Sequence, residues 1–208
     1  MRSSPQSETA LGGGFADPVM DAQVTFRTIM QAFAEPGTLQ TLPEATLATL
    51  EPPVGLSRGA AAILLALADF ETPVHLEKNG GAIAAFLRFH TGCPIVDAPA
   101  KSGFAHVADG AVFDDLGRYA QGTLEYPDRS TTLIIEVESL SQGTPLTLAG
   151  PGIAGTRTVR LSPIHPDLPQ RLAENTALFP QGVDLLFTDG RAIVGLPRST
   201  RVTTEMEG

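Results

Sequence analysis

The amino-acid sequence predicts an α/β fold with one mixed sheet and helices on its faces. Helix-like and strand-like segments alternate irregularly along the chain, which favours this arrangement. Residues 131–137 (TTLIIEV) are β-branched and apolar on both faces, as expected for a central strand. No linker long enough to divide the 208 residues is present. We therefore expect a flexible tail over residues 1–14 and a single domain over residues 15–208.

Helices dominate the predicted first half of the chain. Residues 19–34 carry apolar side chains at helical spacing, and Glu35-Pro36-Gly37 stops the run. A second helix begins after Ser57 and is apolar nearly all round, so it should be deeply buried. A short strand over residues 72–77 and a third helix over residues 83–90 follow.

Strands dominate the predicted second half. A helix is expected from Pro166 to about Leu178. The strand candidates after residues 131–137 are residues 145–149, 157–161, 183–188, 192–195 and 201–204.

Composition and charge exclude several classes of protein. The net charge of −9 argues against nucleic-acid binding, which needs a basic face. The longest apolar stretch, residues 59–68, is too short to cross a membrane, for which about 20 residues are needed. The N-terminus lacks the apolar core of a secretory signal, so we expect a cytoplasmic protein. Cys93 is the single cysteine, which leaves no disulfide framework and no thiolate cage for zinc.

Two motifs could carry chemistry, but each has a structural interpretation that fits better. Gly150, Gly152 and Gly155 form a G-x-G-x-x-G pattern, and a dinucleotide site would need a helix after it. The following residues 156–161 instead alternate like a strand, which favours a tight connection between two strands. His90 and Cys93 could form a base and nucleophile, but the favoured interpretation is a helix-end histidine and a buried cysteine.

Arg27, Arg88 and Arg198 interrupt or border apolar segments. Such cations could gather an anion such as a phosphate or phosphonate. The alternative, which we favour, is that each one pairs with a carboxylate. The sequence alone offers no convincing acid–base pair. Its two lysines, Lys78 and Lys101, lie in turn-like segments, which argues against pyridoxal phosphate bound as a Schiff base.

Six strings occur in an order and spacing that resemble the PhnH family, a subunit of the bacterial carbon–phosphorus lyase machinery. The resemblance runs from about Asp17 to Val202. The strings are DPVMDAQVTFRTIMQAFAEPGT, LRFHTGCPI, TLIIEVESL, LTLAGPGI, LFPQGVDLLFTDG and LPRSTRV.

This resemblance implies a three-layer α/β sandwich similar to the large domain of pyridoxal-phosphate-dependent transferases, but without that cofactor. It also implies a homodimer that joins PhnG, PhnI and PhnJ in a core complex. With PhnG, PhnI and PhnL, such a subunit is associated with transfer of ribose triphosphate from ATP to an alkyl phosphonate, with release of adenine. No metal or other cofactor is implied for this chain.

The resemblance assigns no catalytic residue. The polar residues at matching motif positions are Asp21, Arg27, Glu35, Arg88, His90 and Arg198. We select Arg27, Arg88, His90 and Arg198 as candidates for substrate or partner binding, with a structural role favoured for His90 and a ligand or partner contact for Arg88. The leading hypothesis is a non-autonomous subunit of a phosphonate-metabolising transferase. The alternatives are a stand-alone transferase that binds a nucleotide or phosphonate, and an assembly scaffold that touches no substrate.

Overall fold

The fold is built around a seven-stranded mixed sheet, as seen in a computed structural model that describes residues 13–77, 80–113 and 115–203. The helices are α1 (Pro18–Ala34), α2 (Glu44–Ala48), α3 (Arg58–Leu67), α4 (Gly81–Thr91) and α5 (Leu168–Ala177). The strands are β1 (Gln40–Thr41), β2 (Val74–Leu76), β3 (Ile95–Val96), β4 (Phe104–Val107), β5 (Thr132–Glu136), β6 (Ser139–Ala149), β7 (Arg157–Ser162), β8 (Asp184–Thr188), β9 (Ala192–Leu196) and β10 (Arg201–Thr203).

The strand order in the large sheet is β1-β9-β8-β5-β4-β2-β3. Strands β8, β5, β4, β2 and β3 are parallel, whereas β9 and β1 form antiparallel pairs at one edge. A second, antiparallel sheet has the order β10-β6-β7. The prediction of an α/β fold with a mixed sheet is confirmed.

Each face of the large sheet is covered by a different layer. Along β5, Ile134 joins the buried cluster formed with α1 to α4. Its neighbours Leu133 and Ile135 join the cluster formed with the second sheet and α5. This alternation buries β5 on both sides, as its apolar sequence predicted.

Helix α1 is held firmly against the sheet. The Asp17 side chain caps it by accepting hydrogen bonds from the amides of Val19 and Met20. Its inner face is buried, and the backbone at Ala32 approaches Gly195 of β9 closely. A Cβ atom placed on Gly195 would lie 2.7 Å from the Ala32 carbonyl, so only glycine fits at this crossing.

The predicted helices and most predicted strands are present with ends shifted by a few residues. The short elements β1, α2, β3 and β4 were not predicted. Strand β6 begins at Ser139 rather than at residue 145. The G-x-G-x-x-G segment connects β6 to the antiparallel β7, so its interpretation as a connection between strands is confirmed.

The N-terminal prediction lies mostly outside the described residues. Residues 1–12 of the proposed tail are not described, nor are residues 204–208 of the proposed domain. The carbonyl of Gly13 accepts a hydrogen bond from the amide of Glu51 at 2.9 Å. In the described part of the chain, no helix is long and apolar enough to cross a membrane.

Candidate functional site

The strongest candidate site is a cleft at the carboxyl ends of the parallel strands. The chain goes from β2 outward to β3 and then returns across β2 to β4, so the winding direction reverses between β2 and β4. Ligands of open α/β sheets commonly bind beside such a reversal, outside the carboxyl ends of the strands. A cavity of about 470 Å³ lies on this side of β4 and β5. Its lining residues are Ala108, Asp109, Ala111, Glu136, Val137, Glu138 and Pro163.

A histidine–glutamate pair lies beside this cleft. His106 Nε2 donates to Glu136 Oε1 at 2.6 Å. The side chain of His106 is 3% exposed and that of Glu136 is 17% exposed, so little water competes with the contact. Because Glu136 itself lines the cavity, the pair is connected to the open space.

The parallel register of β4 and β5 creates this pair. His106 lies opposite Ile134, and Glu136 is two residues further along β5 on the same face. Both side chains point toward the helical layer, as Ile134 does. Strand β5 ends at Glu136, so its carboxylate reaches the edge of the sheet.

The N-terminus of α3 completes the environment of Glu136. The amide of Ser57, the N-cap residue of α3, donates to Glu136 Oε1 at 3.0 Å. Helix α3 can come this close because Gly59 packs against the turn at Gly190. A Cβ on Gly59 would lie 2.5 Å from the hydroxyl oxygen of Thr188. The carboxylate therefore occupies the place where a helix N-terminus favours an anion.

These contacts favour the ionised form of Glu136. Burial alone would raise its pKa, but the hydrogen bond and charge of His106, together with the Ser57 amide, outweigh burial. The pKa of Glu136 is consequently held below its usual value. An ionised Glu136 accepts the hydrogen bond from His106 Nε2 and so orients the imidazole beside the cleft.

The cleft is acidic. Asp109 and Glu138 line it together with Glu136, and none of the described residues that line it is basic. This charge favours a cationic or neutral group over a bare phosphate. Among the described residues, no group of three or more His, Cys, Asp or Glu side chains is arranged to hold a metal ion.

A second polar network lies at the end of β2. Glu77 Oε1 accepts hydrogen bonds from Arg118 Nη1 at 3.1 Å and from the Tyr119 hydroxyl at 2.9 Å. The Glu77 amide donates to the carbonyl of His106, which ties this network to β4. The winding reversal therefore has a carboxylate on each side of it, Glu77 after β2 and Glu136 on β5.

The four candidate residues from the sequence lie on three parts of the fold, because Arg88 and His90 share the last turn of α4. Arg27 is exposed on α1, which packs against α3 and β9. Arg88 is exposed in the last turn of α4, which connects β2 to β3 near the opposite edge of the sheet. Arg198 follows β9. Their roles in substrate or partner binding stay predictions.

His90 is embedded among rings at the end of α4. Its ring centroid lies 4.5 Å from that of Phe86 and 4.9 Å from that of Phe89. The chain at Gly14 lies so close to this ring that a Cβ there would be 2.7 Å from it. These contacts favour the structural role predicted for His90.

Cys93 is 1% exposed. Burial raises the pKa of its thiol, in part opposed by a hydrogen bond with Thr91 and by the charge of Arg88. A buried protonated thiol is a poor nucleophile, so the interpretation of Cys93 as a structural residue is favoured.

Arg198 is bound by protein acceptors. Its Nε and Nη2 donate to the two carboxylate oxygens of Asp184 at 3.1 and 2.5 Å. Nη1 donates to the carbonyl of Pro127 and Nη2 also donates to the hydroxyl of Ser130. Asp184 is the first residue of β8, so Arg198 lies at the amino ends of the parallel strands, away from the acidic cleft.

Sequence reasoning missed the His106–Glu136 pair. The sequence alone offered no convincing acid–base pair, and it did not reveal this contact because β4 was not recognised as a strand. The four residues FAHV after Gly103 are the only local signal, and they are too short to distinguish a strand from a loop. A parallel pairing between segments 30 residues apart leaves no pattern in a single sequence.

Comparison with known proteins gives consistent results. Residues 13–203 match the family described as PhnH, bacterial phosphonate metabolism protein. The chain is 38% identical over 195 residues to a protein of Rhizobium meliloti named alpha-D-ribose 1-methylphosphonate 5-triphosphate synthase subunit PhnH, covering 93% of this chain and 96% of that relative. It is 29% identical over 186 residues to the putative C-P lyase subunit protein HtxG of Stutzerimonas stutzeri, covering 86% and 85% of the two chains.

Proposed function

The chain belongs to the PhnH family of bacterial phosphonate metabolism proteins, and from this membership we propose that it is a subunit of the enzyme complex that prepares phosphonates for carbon–phosphorus bond cleavage. The observation that carries the proposal is the match to the Rhizobium meliloti synthase subunit, which covers 96% of that relative at 38% identity. A match of this extent leaves no large part of the relative without a counterpart.

The proposed reaction joins a ribose triphosphate to a phosphonate. ATP supplies the ribose triphosphate, the phosphonate oxygen replaces adenine at the ribose, and adenine leaves. PhnG, PhnI and PhnL are the proposed partners for this step, and PhnG, PhnI and PhnJ those in the core complex. We further propose that this chain forms a homodimer and that it acts in the cytoplasm, where ATP is available. In this proposal its fold resembles that of pyridoxal-phosphate transferases, but it lacks pyridoxal phosphate.

The placement of the cations supports a non-autonomous subunit. A triphosphate is usually gripped by several converging cations or by backbone amides at a helix N-terminus. Here Arg27, Arg88 and Arg198 lie on separate elements, and the N-terminus of α3 already holds the carboxylate of Glu136. Partner subunits would therefore contribute most of the groups that bind the triphosphate.

A stand-alone transferase is the second candidate, and one observation favours it. The His106–Glu136 pair beside a cleft of about 470 Å³ could move a proton during group transfer. This candidate requires activity of the isolated chain, which the first proposal does not.

Reconstitution separates the two proposals. The complex is purified with and without this chain, and release of adenine from ATP is measured with methylphosphonate as the acceptor. We expect activity from the complete set of subunits and none from the isolated chain or from the set that lacks it. Activity of the isolated chain would favour the stand-alone transferase, and full activity without it would contradict both proposals.

A further inference from the structure

A smaller cavity lies at the carboxyl ends of β2 and β3, on the other side of the winding reversal from the acidic cleft. Its volume is about 250 Å³. It is lined by residues at the ends of the two strands, namely His75, Leu76, Glu77, Ile95, Val96 and Asp97. Sites for drug-sized molecules measure about 300–1,000 Å³, so this cavity suits a single ring rather than a whole nucleotide.

His75 presents a ring nitrogen without a protein partner at this cavity. Its Nδ1 lies 3.0 Å from the carbonyl oxygen of Val96, the residue opposite it on β3. A carbonyl oxygen can only accept a hydrogen bond, so Nδ1 carries the proton and donates it. In the neutral imidazole, Nε2 is then an acceptor. Throughout the described part of the chain, no residue donates a hydrogen bond to Nε2 or forms an ion pair with this ring.

The exposure of this nitrogen is confined to the cavity. His75 is 7% exposed, and its ring makes an edge-on contact with Tyr119 at 6.3 Å between centroids. Among the described residues, the fully buried side-chain polar atoms without a partner belong to Thr25, Arg171 and Thr200, so Nε2 reaches the open space that His75 lines. A largely buried polar atom is normally hydrogen-bonded. Nε2 therefore fits a hydrogen-bond donor that enters from the cavity.

Asp97 offers a second acceptor at the end of the neighbouring strand. It follows β3 directly and is exposed. Its side chain makes no hydrogen bond or ion pair with any residue in the described ranges. Val96 is the register partner of His75, so Asp97 lies one residue further along the adjacent strand. Because neighbouring strands are about 4.8 Å apart, one small molecule can reach both acceptors.

The charge of the cavity is low for a site with two carboxylates. Glu77 Oε1 accepts hydrogen bonds from Arg118 at 3.1 Å and from the Tyr119 hydroxyl at 2.9 Å, so the protein itself balances this charge. The remaining carboxylate, Asp97, is exposed, and an exposed ion pair with an ammonium group contributes little. The site therefore favours a neutral molecule that donates hydrogen bonds.

We propose that this cavity binds the two adjacent hydroxyl groups of a ribose ring, with His75 Nε2 accepting from one hydroxyl and Asp97 from the other. The assignment rests on the proposed function, in which a ribose triphosphate passes from ATP to a phosphonate. Two neighbouring hydroxyls supply two donors for the two acceptors. The apolar lining residues contact the carbon–hydrogen face of the sugar.

The position of Asp97 in the fold agrees with this assignment. Strand β2, helix α4 and strand β3 form a β-α-β unit whose parallel strands are paired directly. In dinucleotide-binding folds of the doubly wound class, an acidic residue about 20 residues past the first turn between strand and helix accepts a hydrogen bond from a ribose hydroxyl. Asp97 occupies the comparable place after the turn between β2 and α4. This chain then supplies a sugar site, and partner subunits supply most of the groups that bind the triphosphate.

Nucleotide binding by the reconstituted complex tests the role of His75. The two probes are ATP and dideoxy-ATP, which lacks both ribose hydroxyls. His75→Asn keeps an amide that can donate to the Val96 carbonyl but has no atom in the place of Nε2. We expect it to weaken ATP binding by about threefold to tenfold, the usual effect of one hydrogen bond. Binding of dideoxy-ATP should not change.

Asp97→Asn provides a second variant at a position where the fold tolerates change. Asp97 is exposed, so this variant should melt at the native temperature. It should weaken the binding of ATP and leave dideoxy-ATP unaffected, as His75→Asn does. The matched control is Asp128→Asn, the same substitution at an exposed residue of a different loop. This control should bind both nucleotides as the native complex does.

Nitrogen NMR of the His75 ring in the full-length chain tests the contact without any reaction. The native ring should show a protonated Nδ1 and an unprotonated Nε2. Addition of ribose should move the Nε2 resonance, whereas methylammonium chloride should leave it in place. A doubly protonated ring, a resonance that does not respond to ribose, or a response to methylammonium would each overturn the assignment of a sugar site.

The outcomes separate the ribose site from the proposed function. A complex that releases no adenine, yet prefers ATP to dideoxy-ATP through His75 and Asp97, would contradict the function and support the site. A complex that releases adenine and keeps its full preference for ATP in both variants would support the function and overturn the site. Equal binding of the two nucleotides by the native complex would also overturn the site.

Discussion

His106 and Glu136 lie 30 residues apart in the chain, yet their side chains meet at 2.6 Å between neighbouring parallel strands. The contact depends on two backbone features, the register of β4 with β5 and the docking of the α3 N-terminus. It joins the helical layer to the sheet at the edge that carries the acidic cleft. The pair therefore contributes to stability whether or not it also handles protons during a reaction.

The first prediction concerns stability in acid. Because the folded-state pKa of Glu136 is lowered, its ionised form stabilises the protein above the ordinary pKa of about 4.5, and this contribution is lost as pH falls through the lower folded value. Glu136→Gln should lower the melting temperature at pH 7 and reduce its decline below pH 5. Glu138→Gln, at an exposed position, is the matched control and should follow the native profile. Thermal melts from pH 3 to pH 7 measure this, and an unchanged acid decline in Glu136→Gln would contradict it.

Much of the fold could be predicted from the sequence because long segments carry a clear period. The apolar positions of α1 and the β-branched run of β5 mark a helix and a central strand directly. Strand β4 has four residues and no turn signal beyond Gly103, so its place in the sheet follows only from contacts with β2 and β5. The His106–Glu136 pair was missed for the same reason. Arg198 was recognised as unusual, but its partner Asp184 could be identified only once β8 and β9 were paired.

The second prediction concerns the close crossing of α1 and β9. A Cβ on Gly195 would lie 2.7 Å from backbone atoms of Ala32, and buried backbone cannot move aside cheaply. Gly195→Ala should destabilise the protein by roughly 1–3 kcal/mol. Gly81→Ala is the matched control, because nothing lies within 4 Å of a Cβ at that position. Chemical denaturation measures both, and equal stabilities for the two variants would contradict the prediction.

The third prediction concerns the contacts of Arg198. Removing its guanidinium leaves the Asp184 carboxylate without its ion pair in a setting only 21% exposed. Arg198→Ala should cost roughly 3 kcal/mol of stability, which corresponds to a melting temperature lower by about 6–12 °C for a chain of this size. Arg201→Ala, at an exposed residue of β10, serves as the control and should change the melting temperature little. A native melting temperature combined with loss of function in Arg198→Ala would instead favour substrate or partner binding by Arg198.

The fourth prediction concerns pyridoxal phosphate. A Schiff base needs a lysine in a pocket that lowers its pKa, and Lys101 lies exposed at the end of a short 3₁₀ helix. Lys78 lies outside the described residues. We expect no visible absorbance band after incubation with pyridoxal phosphate and gel filtration. A retained band that disappears on borohydride reduction would contradict this prediction.

The fifth prediction separates Arg88 from His90, which are two residues apart at the end of α4. Arg88 is exposed, so Arg88→Ala should melt close to the native temperature. If Arg88 contacts a partner or ligand, a deletion strain that carries this variant should grow less well on a phosphonate as sole phosphorus source. The His90 ring makes a tilted contact with Phe86 and an edge-on contact with Phe89, and an aromatic contact of this kind contributes about 0.5–1.5 kcal/mol. His90→Ala should therefore melt a few degrees lower, since about 2–4 °C corresponds to each kcal/mol in a chain of this length, yet it should still support growth.

Thermal melts and complementation are measured for each variant. The assignment is wrong if Arg88→Ala melts several degrees lower and still supports growth, or if His90→Ala melts normally and does not.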